Sequence, residues 1–98
     1  MKLYLVHCGY YDSEVCDGLY ESHVNFFVSA SSFDEARLNA KEIPEFKRKK
    51  MHVDGLQEIQ CVQGYTIELK PTVGLEGQTK VLNHKHRDLA PKPPTVGA

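Results

Sequence analysis

Several side chains that can bind a ligand or move a proton fall near the predicted ends of strands. These candidates combine tyrosine, carboxylate and histidine: Tyr10, Asp12, Glu21, His23, His52 and Asp54. A carboxylate beside an imidazole can orient the ring, and such pairs serve proton transfer or the capture of a small ligand. The same residues could also be ordinary loop side chains that close turns through hydrogen bonds. Residue spacing alone does not decide between these interpretations.

Soft metal ligands are present, but their spacing does not favour a metal site. Four occur close together in the chain: His7, Cys8, Cys16 and His23. Structural zinc usually takes closely spaced pairs such as Cys-x2-Cys, and the Cys8–Cys16 spacing is not of that kind. Neighbouring His7 and Cys8 point to opposite faces of a strand. We therefore predict neither a metal site nor a cofactor in the folded domain, although His84 and His86 could bind a divalent ion adventitiously.

One run of adjacent cations could hold phosphate groups or an acidic partner. It comprises Lys47, Arg48, Lys49 and Lys50. The whole chain has 12 basic and 13 acidic residues, a net charge of −1, whereas nucleic-acid binders usually carry a basic excess. Cations at the end of a helix also interact favourably with its dipole. We predict a solvated basic patch and no nucleic-acid partner.

Familiar catalytic motifs are missing, so the sequence leaves enzymatic activity undecided. The chain has no Gly-rich phosphate loop, no Gly-x-Ser-x-Gly and no His-Glu-x-x-His. Cys8 and Cys61 lie in strand-like patterns and are predicted to be buried, whereas Cys16 lies in a loop and is the thiol expected to react. Three cysteines without framework spacing suit free thiols in a reducing compartment.

The elements that must position these residues begin with a strand followed by a helix. Residues 23–30 alternate apolar and polar side chains, the period-2 pattern of a strand with one buried face. Ser32 and Glu35 form a predicted capping box, and an apolar stripe follows that predicts a helix over 32–42. Pro44 disfavours helical angles at Ile43, so this helix ends or bends there.

Three further strands complete the predicted fold. They cover residues 2–8, 56–62 and 65–70, the last two joined by a Gln-Gly turn. Residues 9–18 form a long loop, and residues 51–55 form another loop that contains His52 and Asp54. The sequence thus predicts an α+β, two-layer fold with the order β-β-α-β-β. Its four-stranded, mainly antiparallel sheet carries one main helix on one face.

The segment after residue 70 differs in character. Residues 71–98 hold four of the five prolines and little periodicity, so they are predicted to be an extended Pro/Gly-rich tail after an α+β domain of residues 1–70. Residues 65–70 would form an edge strand open to another chain. We therefore expect a homodimer formed through sheet edges or exchanged tails.

Length and hydropathy place the chain among ordinary globular domains. Its 98 residues suffice for one core, and no apolar run approaches the ~18 residues of a membrane helix. The first residues lack the long apolar core and cleavage site of a signal peptide. We expect a cytoplasmic protein without a membrane partner.

Three segments together resemble a small bacterial domain family that is catalogued as a domain of unknown function. The segments are Met1–Tyr10 with its MxLYLVxxGY pattern, Glu21-Ser22-His23, and MHVDGLQEI at Met51–Ile59. The resemblance covers residues 1 to 70. Its members carry one or two copies of the domain, which implies that two such domains pack together, as a homodimer in a single-copy chain.

The function predicted from these observations is that of a binding or assembly module. It would engage a protein partner through a sheet edge and the 9–18 loop. The alternative is a small-ligand or enzyme site that uses most of the candidates named above: Tyr10, Glu21, His23, His52 and Asp54.

Overall fold

A three-stranded antiparallel sheet forms the centre of the molecule. The computed structural model describes residues 1–89. Strands β1 (Lys2–Tyr11), β2 (Glu21–Ala30) and β3 (His52–Ile59) pair in the order β2-β1-β3. Helices α1 (Phe33–Lys41) and α2 (Pro44–Arg48) connect β2 to β3. The predicted α+β class, the two-layer build and the antiparallel pairing of the first two strands are confirmed.

The two faces of the sheet have different environments. The face under the helices buries Tyr4, Val6 and Cys8 of β1, and Ala36 and Ala40 of α1 pack onto it. Small alanine side chains allow the helix to approach the sheet closely. Residues of β1 with the opposite parity lie on the other face, here called the open face, which includes His7 and Gly9. The functional candidates must be sought on the open face because the core fills the other one.

Helix α1 begins at the predicted cap. The Ser32 side chain accepts a hydrogen bond from the Glu35 amide over 3.1 Å, and the Glu35 carboxylate accepts one from the Ser31 hydroxyl. Both contacts fix the start of the helix immediately after β2. Helix α2 begins with Pro44, where the missing amide hydrogen costs no helical bond.

Strand β3 contains a bulge at the Asp54-Gly55 pair, which the sequence analysis assigned to a loop. The register of β1 with β3 shifts between His7 and Cys8, so that Val53 opposes Cys8 while Gly55 opposes His7, and Asp54 is the extra residue. The bulge lets Val53 and Leu56 both pack against the core, although strict alternation would separate them. The prediction that residues 51–55 form a loop was therefore wrong, because Asp54-Gly55 makes a bulge within a strand.

Several predicted boundaries also differ. The fourth predicted strand is not part of the main sheet: β4 (Cys61–Val62) and β5 (Tyr65–Thr66) form a separate hairpin. Gln63 and Gly64 at its turn both have positive φ, as the predicted type I′ turn requires. Strand β1 extends to Tyr11, so the connection predicted over 9–18 occupies residues 12–20 instead. Cys61 is exposed rather than buried.

The C-terminal segment follows the hairpin without regular strands. Residues 67–85 have no helix or strand, and a short 3-10 turn spans His86–Leu89. The terminal edge strand expected over 65–70 is therefore reduced to two residues. The division of the chain at residue 70 stays a prediction. The proline cluster at 91–94 lies outside the described residues.

Candidate functional site

Four ligand-bearing side chains meet on the open face near one end of the sheet. Strand pairing places Gly9 of β1 between His23 of β2 and His52 of β3. Glu21 precedes His23 by two residues, and Asp54 follows His52 by two, so period-2 alternation puts both carboxylates on the same face as the imidazoles. Glu21, His23, His52 and Asp54 are called the four-donor cluster below.

The imidazoles and carboxylates of the four-donor cluster alternate in space. His52 Nε2 lies 2.9 Å from Glu21 Oε1 and 3.1 Å from Asp54 Oδ1. His23 Nε2 lies 3.1 Å from the same Glu21 oxygen and 3.2 Å from Asp54 Oδ2. Between 29% and 47% of each side chain is exposed, so solvent reaches the cluster directly.

Gly9 forms the floor of the cluster. A Cβ atom at this position would lie 2.6 Å from both His52 Nε2 and Asp54 Oδ2, and closer still to Glu21 Oε1. Real Cβ atoms do not make such contacts, so any other residue at position 9 would push the donors away. The absence of a side chain here creates the space in which the four donors converge.

Three further polar residues, His7, Asn25 and Tyr11, lie beside the four-donor cluster. The His7 and His23 rings stack nearly parallel, with centroids 4.8 Å apart and an interplanar angle of 6°. His7 Nδ1 lies 2.7 Å from Asn25 Oδ1, an amide oxygen that only accepts hydrogen bonds, so Nδ1 carries the hydrogen. The Tyr11 hydroxyl donates to Glu21 Oε2 over 3.4 Å. These contacts restrain the His23 imidazole and the Glu21 carboxylate in the orientations seen.

The cluster has the chemistry of a divalent metal site. Imidazole nitrogen and carboxylate oxygen bind such ions at about 2.0–2.2 Å, which in tetrahedral geometry separates neighbouring donors by about 3.3–3.6 Å. The four nitrogen–oxygen separations of 2.9–3.2 Å need to expand by only a few tenths of an ångström, whereas His23 and His52 fall into different groups of donors that lie within 4.8 Å of one another, so the side chains must also rearrange around an ion. Two carboxylates balance the charge of a divalent ion. Without an ion, each Nε2 faces carboxylate oxygens and must carry a hydrogen, which a metal would displace.

Four of the six candidates named from the sequence come together in this cluster, and two do not. Tyr10 lies on the helix side of β1, where Lys49 Nζ is 4.8 Å from its ring centroid. Asp12 stabilises the turn after β1, because its Oδ1 accepts a hydrogen bond from the Glu14 amide over 2.9 Å. Tyr10 therefore packs against the core, and Asp12 belongs to the loop between β1 and β2.

The cysteines take no part in the cluster. Cys8 is fully buried on the face opposite His7, and burial, together with the nearby charge of Asp54, raises the pKa of its thiol. A buried neutral thiol is neither a nucleophile nor a ready metal ligand. Cys16 is exposed in the connection between β1 and β2.

Two of the four cations in the basic patch are paired with nearby glutamates. Lys47 pairs with Glu42 at 2.8 Å, and Lys49 pairs with Glu45 at 3.3 Å. The hydrogen bond to Glu45 is the main cause of the raised pKa of Lys49. Half of the four-cation run is thus engaged within the domain.

Four residues of the site escaped the sequence analysis. Gly9 and Asn25 have no chemistry that marks them, and Tyr11 was not among the candidates. His7 was considered only as one of four soft metal ligands, with Cys8, Cys16 and His23. Their roles follow from strand register, since Gly9 opposes both His23 and His52 while His7 opposes Asn25. No local signal in the sequence gives that register.

Comparison with known families assigns the chain to a family for which no activity is described. Residues 18–69, just over half of the chain, match the model of a family described as Domain of Unknown Function (DUF1543). The chain belongs to this family. The matched part of the DUF1543 chain contains all of the four-donor cluster, while Gly9 and His7 precede it. No curated protein and no solved structure matches the chain. Within residues 1–89, no helix has the length and hydropathy needed to cross a membrane.

Proposed function

We propose that this DUF1543 domain binds a divalent transition-metal ion on its open sheet face. The ligands are His23 Nε2, His52 Nε2 and carboxylate oxygens of Glu21 and Asp54. The observation that carries the proposal is the convergence of these donors over Gly9, with nitrogen–oxygen separations of 2.9–3.2 Å.

The donor types narrow the identity of the ion. Two imidazoles with two carboxylates suit zinc, iron, cobalt or manganese, whereas calcium prefers six to eight oxygen ligands. The position of the cluster above an exposed sheet leaves room for water or another molecule to reach the ion. A structural zinc site is usually closed by four buried cysteine or histidine ligands. The exposed arrangement therefore favours an ion that meets a further ligand.

Support also comes from the contacts that hold the donors. The His7 stack restrains the His23 ring, and the Tyr11 hydroxyl restrains Glu21. Contacts of this kind to the ligand side chains orient metal ligands in known sites, and their loss commonly lowers metal affinity 10–100-fold.

Cobalt provides a direct test because its visible absorption reports both geometry and ligand type. Addition of Co²⁺ to the full chain at neutral pH is expected to give the intense bands of a tetrahedral or five-coordinate ion without a thiolate charge-transfer band. His52→Ala and Asp54→Asn should each abolish these bands. Only the weak spectrum of hydrated, octahedral Co²⁺ in the wild-type chain would contradict the proposal.

A second candidate function is self-assembly through the outer edge of β2. Among the described residues no strand pairs with this ten-residue edge. The Ser29 carbonyl accepts a hydrogen bond from Asn39 Nδ2 over 3.1 Å, so it points away from β1, and by alternation so do the backbone groups of Phe27 and Asn25. Such groups can pair with a second copy of the chain that enters the groove between this edge and residues 70–79 of the C-terminal segment. This replaces the edge expected at residues 65–70 as the surface of the proposed homodimer.

Sedimentation at about 100 µM tests whether the chain forms a dimer and whether the dimer uses the outer edge of β2. A dimer in the wild-type chain that becomes a monomer in Phe27→Pro, which removes an outward amide, would support assembly through β2. A wild-type monomer would exclude it, and a dimer unaffected by the proline would assign the contact to another surface.

A further inference from the structure

His7 lies beside the four-donor cluster but does not aim at the same point as His23. The ring nitrogens of an imidazole donate their lone pairs in the plane of the ring. Because the His7 and His23 rings are stacked within 6° of parallel, their planes do not intersect near the cluster. One ion cannot lie in both planes, so His7 is not a fifth ligand of the ion held by His23.

The free nitrogen of His7 is nevertheless suited to a metal. Its Nδ1 donates to Asn25 Oδ1 over 2.7 Å, which leaves Nε2 with the lone pair in the neutral ring. This pattern, in which one ring nitrogen donates to a protein oxygen and the other binds the ion, is usual for metal-ligating histidines. Ligand atoms of His7, His23 and Asp54 all lie within 4.8 Å of one another.

Asp54 lies within reach of His7 as well as of the four-donor cluster. Its Oδ1 faces His52 at 3.1 Å and its Oδ2 faces His23 at 3.2 Å, both in that cluster, and one of its oxygens also lies within 4.8 Å of a His7 ring nitrogen. It is also the one residue shared by two separate groups of candidate ligands, one with His7 and His23 and the other with Glu21 and His52. A carboxylate in this position can bridge ions about 3.5–4 Å apart, the spacing of two-metal centres.

Space for a second ion exists over Gly55. This glycine opposes His7 across the strand pairing, and a Cβ atom there would meet nothing within 4 Å. The open region beside His7 and Asp54 can hold an ion together with several water molecules, as ions with few protein ligands require. The bulge in β3 creates this arrangement. Because Asp54 is the extra residue, both Asp54 and Gly55, which opposes His7, lie on the open face.

We propose that the open face binds a second divalent cation over Gly55, held by His7 Nε2 and a bridging Asp54 carboxylate. This proposal rests on the proposed function, because the bridging carboxylate belongs to the four-donor cluster. The second ion has two protein ligands against four for the first, and it therefore binds more weakly. Its remaining positions are occupied by water.

Mn²⁺ is the probe for this test. Equilibrium dialysis measures how many ions bind per chain, and electron paramagnetic resonance shows whether two bound ions lie close together. The parent chain carries His84→Ala and His86→Ala, so that the tail histidines cannot supply a second ion. We expect two Mn²⁺ per chain with the exchange-coupled signal of a close pair. Gly55→Val fills the open region but keeps the His7–His23 stack, and it should reduce the stoichiometry to one.

A second variant and four contrary outcomes define the test. His7→Gln should also leave at most one ion, bound more weakly than in Gly55→Val because the stack on His23 is lost with the imidazole, and thermal melts of both variants confirm that they are folded. One ion in the parent chain overturns the second site but leaves the proposed function intact, whereas no bound ion overturns both. Two uncoupled ions, or two ions that persist in Gly55→Val and His7→Gln, would place the second ion elsewhere and overturn the proposal.

Discussion

Gly9 and His52 face each other across β1 and β3, and a Cβ atom on Gly9 would lie 2.6 Å from His52 Nε2. The missing side chain at position 9 is thus what allows a histidine and two carboxylates from the flanking strands to converge. The open face carries a second glycine, Gly55, where a Cβ atom would be accommodated freely. This contrast between two strand glycines offers a test of the site that does not alter any donor.

Gly9→Ala is expected to weaken binding of the tighter metal ion at least about tenfold, because the new methyl group displaces the donors by a substantial fraction of an ångström. The effect of such displacement resembles the 10–100-fold loss caused by removing supporting contacts. Calorimetric titration with Zn²⁺ measures it. Gly55→Ala is the matched control and should retain the affinity of the wild-type chain for that ion. Equal affinities in both variants would show that Gly9 does not shape the site.

Adjacent phenylalanines of β2 test the assignment of the two sheet faces. Phe26 is half-buried and packs against the core that includes Val6 and Phe46, whereas Phe27 on the open face is 48% exposed. Phe26→Ala should lower the free energy of unfolding by about 2–4 kcal/mol, near the lower end for phenylalanine truncation because burial is incomplete. Phe27→Ala should lower it by less than about 1 kcal/mol. Chemical denaturation measures both, and a reversed order would mean that the faces are wrongly assigned.

Acid sensitivity should arise in part from Glu58. The Gln60 side chain donates to its carboxylate and is the main cause of its lowered pKa, with further contributions from Lys2 at 3.4 Å and the Tyr4 hydroxyl at 3.5 Å. A carboxylate with a lowered pKa in the folded state stabilises the fold above its unfolded pKa, and this contribution is lost as the pH falls through the folded value.

Glu58→Gln removes this titration. Its stability should therefore decline less steeply than that of the wild-type chain below about pH 4.3, the usual pKa of an unfolded glutamate. Thermal melts between pH 3 and pH 7 make the comparison. Parallel curves for the two proteins would exclude a role for Glu58 in acid unfolding.

Local signals account for the parts of the fold that could be predicted. The alternation of β2 and the Ser32–Glu35 cap are complete within a few residues, and both appear in the structure. Asp54-Gly55 imitates a turn locally, but tertiary pairing with His7 and Cys8 makes it a bulge. The predicted fourth strand failed for a related reason, since its residues pair with each other in a hairpin rather than with the sheet.

The candidate site could be predicted only in part, for a similar physical reason. Glu21, His23, His52 and Asp54 were recognised by residue type and by their positions near strand ends. The assignment of Gly9 as floor and His7 as neighbour depends on the register between strands that are far apart in sequence. A shift of one residue in either pairing would move these side chains to the opposite face.

The most direct test of the central claim is a calorimetric Zn²⁺ titration of three versions of the full chain at neutral pH. We expect tight binding in the wild-type chain and unchanged tight binding in His84→Ala/His86→Ala, which lacks the tail histidines. His23→Ala/His52→Ala should lose at least about 100-fold in affinity, since it lacks both imidazole ligands. Weak binding in the wild-type chain, or tight binding that disappears only with His84 and His86, would contradict a metal site on the open sheet face.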